Sequence, residues 1–522
     1  MIEPFLDYDQ AYADFRWDVP QHLNMATQVC DVWFESDPDK TAIIDATDLV
    51  NIKHHTYADL SRAANTLARY LAHLGVSIGD RIGVLRSQDM CTAAAHIAIW
   101  KLGAISIPLF KLFGPEALSS RLLNAGAKYV IVDEEGYTRL NALNVTQVLP
   151  EELVLSGQPY ECADTTSETP AVLIYTSGTT GKSKGALHAH RVLTGHLPGV
   201  EVSHEFLGQN EDIIWTPADW AWIGGLFDVL MPGLALGVPV VAARLTKFTP
   251  DAAKEIIETL DVKNVFFPPT ALRMIKAAEC KITGLRSVAS GGEPLGAEML
   301  EWARDALGVT INEFYGQTEC NMVVSSCQAA FPVKNGAIGK PVPGFDVCVI
   351  DDAGSPTIEE GDIAIRCGAV SMMIEYWNNP VATQEKFRGD WMLTGDRGIV
   401  DQGYIRFVGR DDDVITSAGY RIGPAEIEDC LLTHPAVATV GVVGKPDPMR
   451  TEIVKAYVVL KPDVTASDVV RDILKAHVKQ RLAKHAYPRE ISFLDELPMT
   501  GTGKVIRKEL RARACTENEG AE

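Results

Sequence analysis

The 522-residue chain lacks a basic charge excess, paired cysteines, a signal-like N-terminus and a long uninterrupted apolar run. Its net charge of −21 argues against a nucleic-acid partner, because the basic footprint that such partners need is missing. The ten cysteines include no Cys-x-x-Cys pair and no cysteine–histidine cluster at zinc spacing, so we expect buried reduced thiols. The apolar stretch 229–243 is broken by prolines and glycines and is too short to span a bilayer. With an acidic N-terminus, these absences predict a cytoplasmic protein with no membrane span.

The composition is that of an ordinary globular protein, with 46% hydrophobic and 22% charged residues. A chain of this length is too long for a single compact core, so two or more domains are expected. Short apolar runs alternate with helical patterns along most of it, which predicts an α/β fold. The predicted strands are 81–85, 128–133, 264–267 and 287–290, and the predicted helices are 91–102, 271–278 and 299–307.

The pattern changes after Gly409, where a run of charge at 410–413 precedes a smaller unit. This unit has its own predicted strands, 437–443 and 453–460, and its own predicted helices, 466–474 and 475–483. We therefore predict two domains, at residues 1–410 and 411–522.

The stretch 175–185 is the most informative part of the chain, because a short β-prone run opens there into glycines, hydroxyls and lysines. Glycines let backbone N–H groups converge on an anion, and the hydroxyls and lysines add donors and charge. The spacing differs from a Walker loop, since only two residues separate Gly178 from Gly181. The alternative is a solvated polar hairpin. The predicted polyphosphate ligands are Thr176, Ser177, Gly178, Thr179, Thr180, Gly181 and Lys182.

This loop resembles the phosphate loop of the adenylate-forming superfamily, which includes acyl-CoA synthetases, luciferases and the adenylation domains of peptide synthetases. Further blocks follow in the order of that family, at 315–319 (YGQTE), 394–396 (TGD), 409–413 (GRDDD), 419–422 (GYRI) and 498–504 (PMTGTGK). The chain departs from the pattern at Ser183, where the family usually has proline, and at Thr416, where many relatives have lysine. The resemblance implies a large, multi-layered α/β N-terminal domain and a small, mobile α+β C-terminal lid.

Activating a carboxylic acid with ATP requires a carboxylate to attack the α-phosphorus although both groups are negative, so charge must be neutralised and the groups aligned. The resemblance implies that ATP, Mg²⁺ and coenzyme A take part. It assigns Glu319 to Mg²⁺, Thr318 to the α-phosphate and Lys504 to the carboxylate and α-phosphate during adenylation. Because Thr416 replaces a lysine, no catalytic lysine is assigned to thioester formation.

The resemblance places the remaining nucleotide contacts on several blocks. Asp396 and Arg410 would bind the ribose, and Arg421 a phosphate. The Gly419 region would face the pantetheine of coenzyme A, and Asp412 would be the hinge of the lid. The adenine slot would be formed by Gly292, Glu293, Pro294 and Tyr315.

The segment 219–225 resembles the wall of the acyl pocket, and the pocket residues implied are Trp222, Ile223, Gly224 and Gly316. Acetyl-CoA synthetases carry tryptophan at the position of Gly316, where it forms the floor of a short pocket. Glycine there predicts an acid longer or bulkier than acetate: medium-chain, branched, alicyclic or aryl. The run 450–456 resembles medium-chain acyl-CoA synthetases.

Other functions remain open at this point. The closest is an adenylation enzyme that loads an acid or amino acid onto a carrier protein, with Asp219 facing an ammonium group. A nucleotide-binding pseudoenzyme and a phosphotransferase that forms ADP are more distant alternatives. The setting of Lys504 also resembles synthetases that a lysine acetyltransferase silences and a deacetylase restores. The sequence leaves the oligomeric state and the identity of the small-molecule carboxylic acid undetermined.

Overall fold

The computed structural model describes residues 2–140, 143–176, 183–209, 211–245, 247–293, 295–410, 413, 415–417, 420–447, 451–482, 487–500 and 504–519. The chain divides into two compact units. Unit 1 comprises Met1–Leu295, Met299–Val347 and Ile365–Met392, and unit 2 comprises Gly296–Glu298, Cys348–Ala364 and Leu393–Glu522. The predicted domain boundary between residues 410 and 411 stays a prediction.

The strands, in chain order, are β1 Thr41–Asp45, β2 Lys53–Thr56, β3 Arg81–Leu85, β4 Ile105–Pro108, β5 Tyr129–Val132, β6 Thr146–Val148, β7 Pro170–Thr176, β8 Lys184–Ala189, β9 Ile214–Trp215, β10 Val240–Ala242, β11 Asn264–Phe266, β12 Ser287–Gly291, β13 Ile311–Gln317, β14 Cys320–Ser325, β15 Lys340–Pro341, β16 Val347–Ile350, β17 Pro356–Thr357, β18 Gly361–Arg366, β19 Glu375–Tyr376, β20 Phe387–Arg388, β21 Trp391–Asp401, β22 Tyr404–Arg410, β23 Ile415–Ser417, β24 Tyr420–Ile422, β25 Val437–Asp447, β26 Thr451–Leu460 and β27 Glu490–Phe493.

The α-helices are α1 Tyr8–Asp14, α2 Val32–Ser36, α3 Tyr57–His73, α4 Met90–Lys101, α5 Pro115–Ala125, α6 Glu134–Arg139, α7 Arg191–Ser203, α8 Ile223–Gly225, α9 Met231–Leu236, α10 Pro250–Leu260, α11 Pro269–Ala277, α12 Ala297–Ala306, α13 Pro380–Glu385, α14 Pro424–Leu432, α15 Asp468–Arg481 and α16 Arg507–Glu519. Two π-helical segments, Thr27–Asp31 and Leu226–Leu230, and one 3₁₀ turn, Pro150–Glu152, complete the set within the described ranges.

Unit 1 is built on two large sheets whose strands are largely parallel. Their orders are β15-β14-β13-β12-β11-β9-β10-β1-β2 and β19-β8-β7-β4-β3-β5-β6. Central strands such as β12 are buried along their whole length, as expected where helices cover both faces of a parallel sheet. Parallel strands end at the same edge of a sheet, so the loops that follow neighbouring strands lie side by side. The predicted α/β fold class is confirmed.

Unit 2 contains the sheet β24-β23-β26-β25, with β27 paired to β26. The strands β25 and β26 are antiparallel and pair from Val437↔Leu460 to Asp447↔Thr451. A further sheet has the order β17-β16-β18-β21-β20, with β22 paired to β21. Buried aliphatic side chains of α14, α15 and the first of these sheets form a core, among them Ile427, Leu474 and Val478.

Most predicted elements are present with ends shifted by one to four residues, but one prediction is wrong. The two helices expected at 466–474 and 475–483 are a single helix, α15. Ser467 caps its N-terminus through a hydrogen bond from the Val470 N–H. No glycine or proline interrupts it, and Leu474 and Val478, four residues apart, are both buried on one face.

The ten cysteines are free thiols, and the expected burial holds for only part of them. Four are buried (Cys30, Cys320, Cys327 and Cys430), four are half-buried (Cys91, Cys162, Cys280 and Cys348), and Cys367 and Cys515 are exposed. Among the described residues, no helix combines the length and apolar character that crossing a membrane requires. The cytoplasmic location stays a prediction.

Candidate active site

Thr318 and Glu319 form the two-residue turn of a hairpin between β13 and β14. The last paired residues on either side are Gln317 and Cys320. A two-residue loop leaves little backbone freedom, so the hairpin fixes the direction in which both predicted catalytic side chains leave the sheet. The Gln317 side chain is itself held, because Lys386 Nζ donates to its Oε1 at 2.6 Å.

The Glu319 carboxylate is buried and oriented by a tyrosine that none of the sequence motifs contains. The Tyr376 hydroxyl donates to Glu319 Oε1, and the Met373 N–H donates to the Glu319 carbonyl at 2.8 Å. Tyr376 lies in β19, which pairs with β8 beside the phosphate loop. The ammonium of Lys184, at the start of β8, lies 5.3 Å from the Tyr376 ring centroid. Because Tyr376 is 57 residues from Glu319, no local sequence pattern pointed to it.

The donor set at Glu319 fits Mg²⁺ that arrives with a nucleotide. A single oriented carboxylate is what such an ion requires, since Mg²⁺ keeps several waters and takes further oxygens from phosphates. Within the described residues, no group of three or more histidine, cysteine, aspartate and glutamate side chains forms a metal cage.

The phosphate loop is described only at its edges. Thr176 ends β7 and pairs with Lys184 at the start of β8, where its Oγ1 donates to the Lys184 carbonyl at 3.4 Å. The other predicted phosphate ligands, Ser177, Gly178, Thr179, Thr180, Gly181 and Lys182, lie outside the described residues.

The predicted adenine slot is built at the ends of two neighbouring parallel strands. Gly291 of β12 pairs with Phe314 of β13, which brings Gly292 and Glu293 beside Tyr315. Gly292 has a φ of +97°, a conformation that glycine adopts at little cost. Glu293 forms an ion pair with Arg273 at 2.9 Å. The fourth predicted member, Pro294, lies outside the described residues.

The predicted acyl wall adjoins a group of aromatic rings. Trp222 precedes the short helix α8, which contains Ile223 and Gly224. The ring of Trp222 lies 6.1 Å from that of Phe266, which in turn lies 5.2 Å from the ring of Phe314. A Cβ at Gly224 would lie 2.9 Å from Phe266. Glycine here therefore lets the aromatic ring approach the backbone.

Gly316 is also closely packed, against Asn321 of the adjacent strand. A Cβ at Gly316 would lie 2.9 Å from Asn321 Cα and closer still to its carboxamide oxygen. The register of the hairpin shifts at this point, between Tyr315 and Gln317. The first space that a side chain at Gly316 would enter is therefore occupied by Asn321.

Unit 2 holds the predicted ribose ligands on paired strands. Asp396 of β21 pairs with Arg410 of β22, and Arg410 Nη1 lies 3.4 Å from Asp396 Oδ1. The Asp396 N–H donates to Thr394 Oγ1 at 3.1 Å. Gly395, between them, has a φ of +78°, which explains the glycine of this block.

Lys504 lies just before α16 and is hydrogen-bonded to Thr500. Its N–H donates to Thr500 Oγ1 at 3.0 Å, and the Thr500 N–H donates to the Lys504 carbonyl at 2.7 Å. Lys504 itself is half-buried. The hinge candidate Asp412 and the coenzyme A candidate Gly419 lie outside the described residues, as does the side chain of Arg421, whose backbone belongs to β24.

Asp413, next to the predicted hinge, is buried and ion-paired with α16. Arg511 contacts its Oδ1, and Arg507 Nη1 lies 3.6 Å from its Oδ2. Arg507 also contacts Glu428 of α14 at 2.5 Å. Burial raises the pKa of Glu428, and Arg507 opposes this effect. These charges join α14 and α16 to the start of the predicted lid.

Comparisons with known proteins agree with this geometry. The family model described as "AMP-binding enzyme" matches residues 30–377, and that described as "AMP-binding enzyme C-terminal domain" matches residues 426–504. The chain belongs to the AMP-binding enzyme family. The predicted family is thereby confirmed, and the relatives named next confirm the predicted enzyme class, an AMP-forming acid–thiol ligase.

Two relatives of this chain in the family are acyl-coenzyme A synthetases. The acetyl-coenzyme A synthetase of Bacillus subtilis is 33% identical, over 97% of this chain and 95% of that relative. The mitochondrial acyl-coenzyme A synthetase ACSM3 of Mus musculus is 30% identical, over 98% of this chain and 93% of that relative. Among solved structures, an anthranilate CoA ligase in complex with anthranoyl-AMP superposes with a TM-score of 0.84 at 28% identity, covering 96% of this chain and 99% of that chain.

Proposed function

We propose that this member of the AMP-binding enzyme family activates a carboxylic acid bulkier than acetate, first as acyl-AMP with release of pyrophosphate and then as acyl-CoA with release of AMP. The observation that carries the proposal is the Thr318–Glu319 turn, in which a buried carboxylate is oriented by Tyr376 beside the phosphate loop. Family membership supports the use of ATP and coenzyme A.

In unit 1, Glu319 would hold the Mg²⁺ that accompanies ATP, and the Thr318 hydroxyl would donate to the α-phosphate. Bound Mg²⁺ would supply neutralisation of phosphate charge. Tyr376 fixes the carboxylate of Glu319, and Lys386 fixes Gln317 at the base of the turn. Tyr315, Gly292 and Glu293 would bind adenine.

In unit 2, Asp396 would accept hydrogen bonds from the ribose diol, since a carboxylate offers an acceptor to each hydroxyl. Lys504 would supply a compact positive charge to the carboxylate and α-phosphate as they approach. Asp412 is the proposed hinge and the Gly419 segment the proposed contact for pantetheine. Lys504 is also the proposed site of acetylation.

The acid class is inferred from the acyl wall. The half-buried ring of Trp222 lies beside Gly224 and packs against buried Phe266, which in turn packs against buried Phe314. An acyl chain that packed against this aromatic group would be favoured over acetate, because each buried methylene contributes about 0.8 kcal/mol.

One observation bears on the alternative of an amino acid as the substrate. The Asp219 carboxyl accepts the Ala221 N–H at 2.8 Å, and desolvation raises its pKa to about 6. The carboxyl is therefore ionised at neutral pH, as a partner for a substrate ammonium group would have to be, and amino acids are included in the acid panel.

A panel of acids tests this function. The purified protein is incubated with ATP, Mg²⁺ and coenzyme A, and AMP, ADP and acyl-CoA are measured for acetate, straight-chain acids, cyclohexanecarboxylate, benzoate and amino acids. We expect AMP release that depends on coenzyme A, with a higher kcat/KM for an acid bulkier than acetate. Accumulation of ADP would identify a phosphotransferase, and adenylation of amino acids alone would favour loading of a carrier protein.

The role of Lys504 is tested by separating the two half-reactions. Lys504→Ala is expected to abolish adenylation and largely spare thioester formation from supplied acyl-AMP. An equal fall in both rates, with folding intact, would contradict the assignment.

A further inference from the structure

Three buried polar residues of unit 1, Asn321, Asp228 and His196, form a cluster between the predicted acyl wall and the Thr318–Glu319 turn. Asn321 Nδ2 donates to both carboxylate oxygens of Asp228, at 2.8 Å and 3.0 Å. Asp228 lies in the π-helical segment that directly follows Gly224 and Gly225. Asn321 lies two residues after Glu319 in β14. The two ends of the cluster therefore belong to the two predicted substrate subsites.

The third member, His196 of α7, fixes the orientation of the Asp228 carboxylate. His196 Nδ1 lies 3.1 Å from the Phe227 carbonyl and 3.2 Å from Asp228 Oδ1. Both are acceptors, so Nδ1 carries the proton. Burial raises the pKa of Asp228, and the donors of His196 and Asn321 oppose this effect. Asp228 thus receives donors from two separate elements.

The hairpin register explains why Asn321 contacts Gly316. Tyr315 pairs with Val324 and Gln317 pairs with Cys320, so three residues of β14 lie opposite the single residue Gly316. Such irregularities bend a strand and redirect its side chains, often beside active sites. With Nδ2 bound to Asp228, the carboxamide oxygen of Asn321 rests against Gly316. The side chain therefore packs where the hairpin turns toward Thr318 and Glu319.

We propose that Asn321 is a positioning residue for acid activation, which fixes the backbone at Gly316, and through it Thr318 and Glu319, relative to the acyl wall. The proposal rests on the function proposed above for Thr318 and Glu319. Asn321 acts through the hairpin and through Asp228. Removing it loosens Glu319, whose proposed ligand, the Mg²⁺ that accompanies ATP, serves the departure of pyrophosphate during adenylation, and no pyrophosphate leaves in the thioester step.

The primary test is Asn321→Ala, with the half-reactions measured separately. Adenylation is followed by pyrophosphate exchange, and thioester formation by release of AMP from chemically prepared acyl-adenylate and coenzyme A. We expect kcat for adenylation to fall at least tenfold, equivalent to about 1.4 kcal/mol, and the thioester rate to change by less than threefold.

Asn312→Ala is the matched control. Asn312 is a fully buried carboxamide on the same sheet, and it bonds to the Ser203 carbonyl, Glu205 and the Gln328 N–H. It lies four residues before Gly316, about 13 Å along β13. A loss of stability without a difference between the half-reactions is expected for this variant. If Asn321→Ala behaves in the same way, Asn321 has no positioning role.

An exchange of the two partners provides a second test. Asn321→Asp places two carboxylates at hydrogen-bond distance and should slow adenylation strongly, since both cannot ionise without repulsion. Adding Asp228→Asn exchanges amide and carboxylate and should return kcat to within threefold of the parent. Failure of the double variant to recover, while it remains folded, would overturn the proposal.

Two further outcomes are decisive. If neither Asn321 variant folds while Asn312→Ala does, Asn321 serves the fold, and the proposal is rejected. If the unmodified protein forms no acyl-adenylate with any acid, the proposed function itself fails. If the unmodified protein is active and Asn321→Ala, like Asn312→Ala, shows no difference between the two half-reactions, only the positioning role of Asn321 is rejected.

Discussion

Removal of the Tyr376 hydroxyl tests how the Glu319 carboxylate is held. Tyr376→Phe keeps the ring and deletes the donor to Glu319 Oε1, at a place where both side chains are at least 92% buried. A buried carboxylate that loses a donor loses about 1.5–3 kcal/mol of stabilisation. Loss of a residue that orients a metal ligand lowers metal affinity or activity by about 10- to 100-fold.

We therefore expect Tyr376→Phe to lower kcat/KM for ATP in adenylation by about 10- to 100-fold at limiting Mg²⁺. The assay is pyrophosphate exchange across a Mg²⁺ titration, in which higher Mg²⁺ should recover part of the loss. Thioester formation from supplied acyl-AMP should be nearly unchanged, since no pyrophosphate leaves in that step.

Tyr57→Phe is the matched control, because Tyr57 is fully buried and its hydroxyl donates to the Leu234 carbonyl at 2.6 Å. This variant should lose stability and keep its Mg²⁺ dependence. If Tyr376→Phe retains adenylation within twofold at limiting Mg²⁺, the orienting role of Tyr376 is refuted. An equal loss in both half-reactions would refute it as well.

Three other changes have expected outcomes. Desolvation raises the pKa of Asp219 from near 4 to about 6, so the folded protein loses stability as the pH rises from 4 to 6 and does not regain it at higher pH. Asp219→Asn should therefore raise the free energy of unfolding in urea by about 1–3 kcal/mol at pH 8 and by nearly nothing at pH 4, and an equal gain at both pH values would contradict this. Arg511→Met should destabilise unit 2 by about 1–3 kcal/mol, because buried Asp413 loses a partner. Arg513→Met on the same helix, in an exposed pair with Glu517, should cost under about 0.5 kcal/mol, and equal effects in urea unfolding would refute a stabilising role of the Arg511–Asp413 ion pair. Gly316→Ala should lower kcat/KM about tenfold for every acid alike, since its Cβ would overlap Asn321. A fall in kcat/KM for the larger acids alone would instead support an open pocket at this position.

The sequence was sufficient for the family, the α/β fold and the block that contains Thr318 and Glu319, although the hairpin turn on which the two residues lie was not predicted. These features are written in local patterns: glycines and hydroxyls after an apolar run, alternation of apolar segments, and short blocks in a fixed order. Local spacing also located β3 with the same ends, Arg81–Leu85, that the structure has. The same local spacing wrongly predicted a break inside α15, because the burial of one continuous face, rather than helix propensity, sets the length of this helix.

Only the tertiary structure brought Tyr376 to Glu319, Lys386 to Gln317 and Asp228 to Asn321. These pairs are separated by 57, 69 and 93 residues, respectively. The separations are set by strand order in the sheets, and residue periodicity carries no information on which distant strands become neighbours. The same holds for Gly316. The glycine predicts an acyl pocket without a floor, whereas in the structure Asn321 occupies the first space that a side chain there would enter, as Phe266 does at Gly224. A close-packed interior moves neighbouring side chains into any room that a glycine leaves.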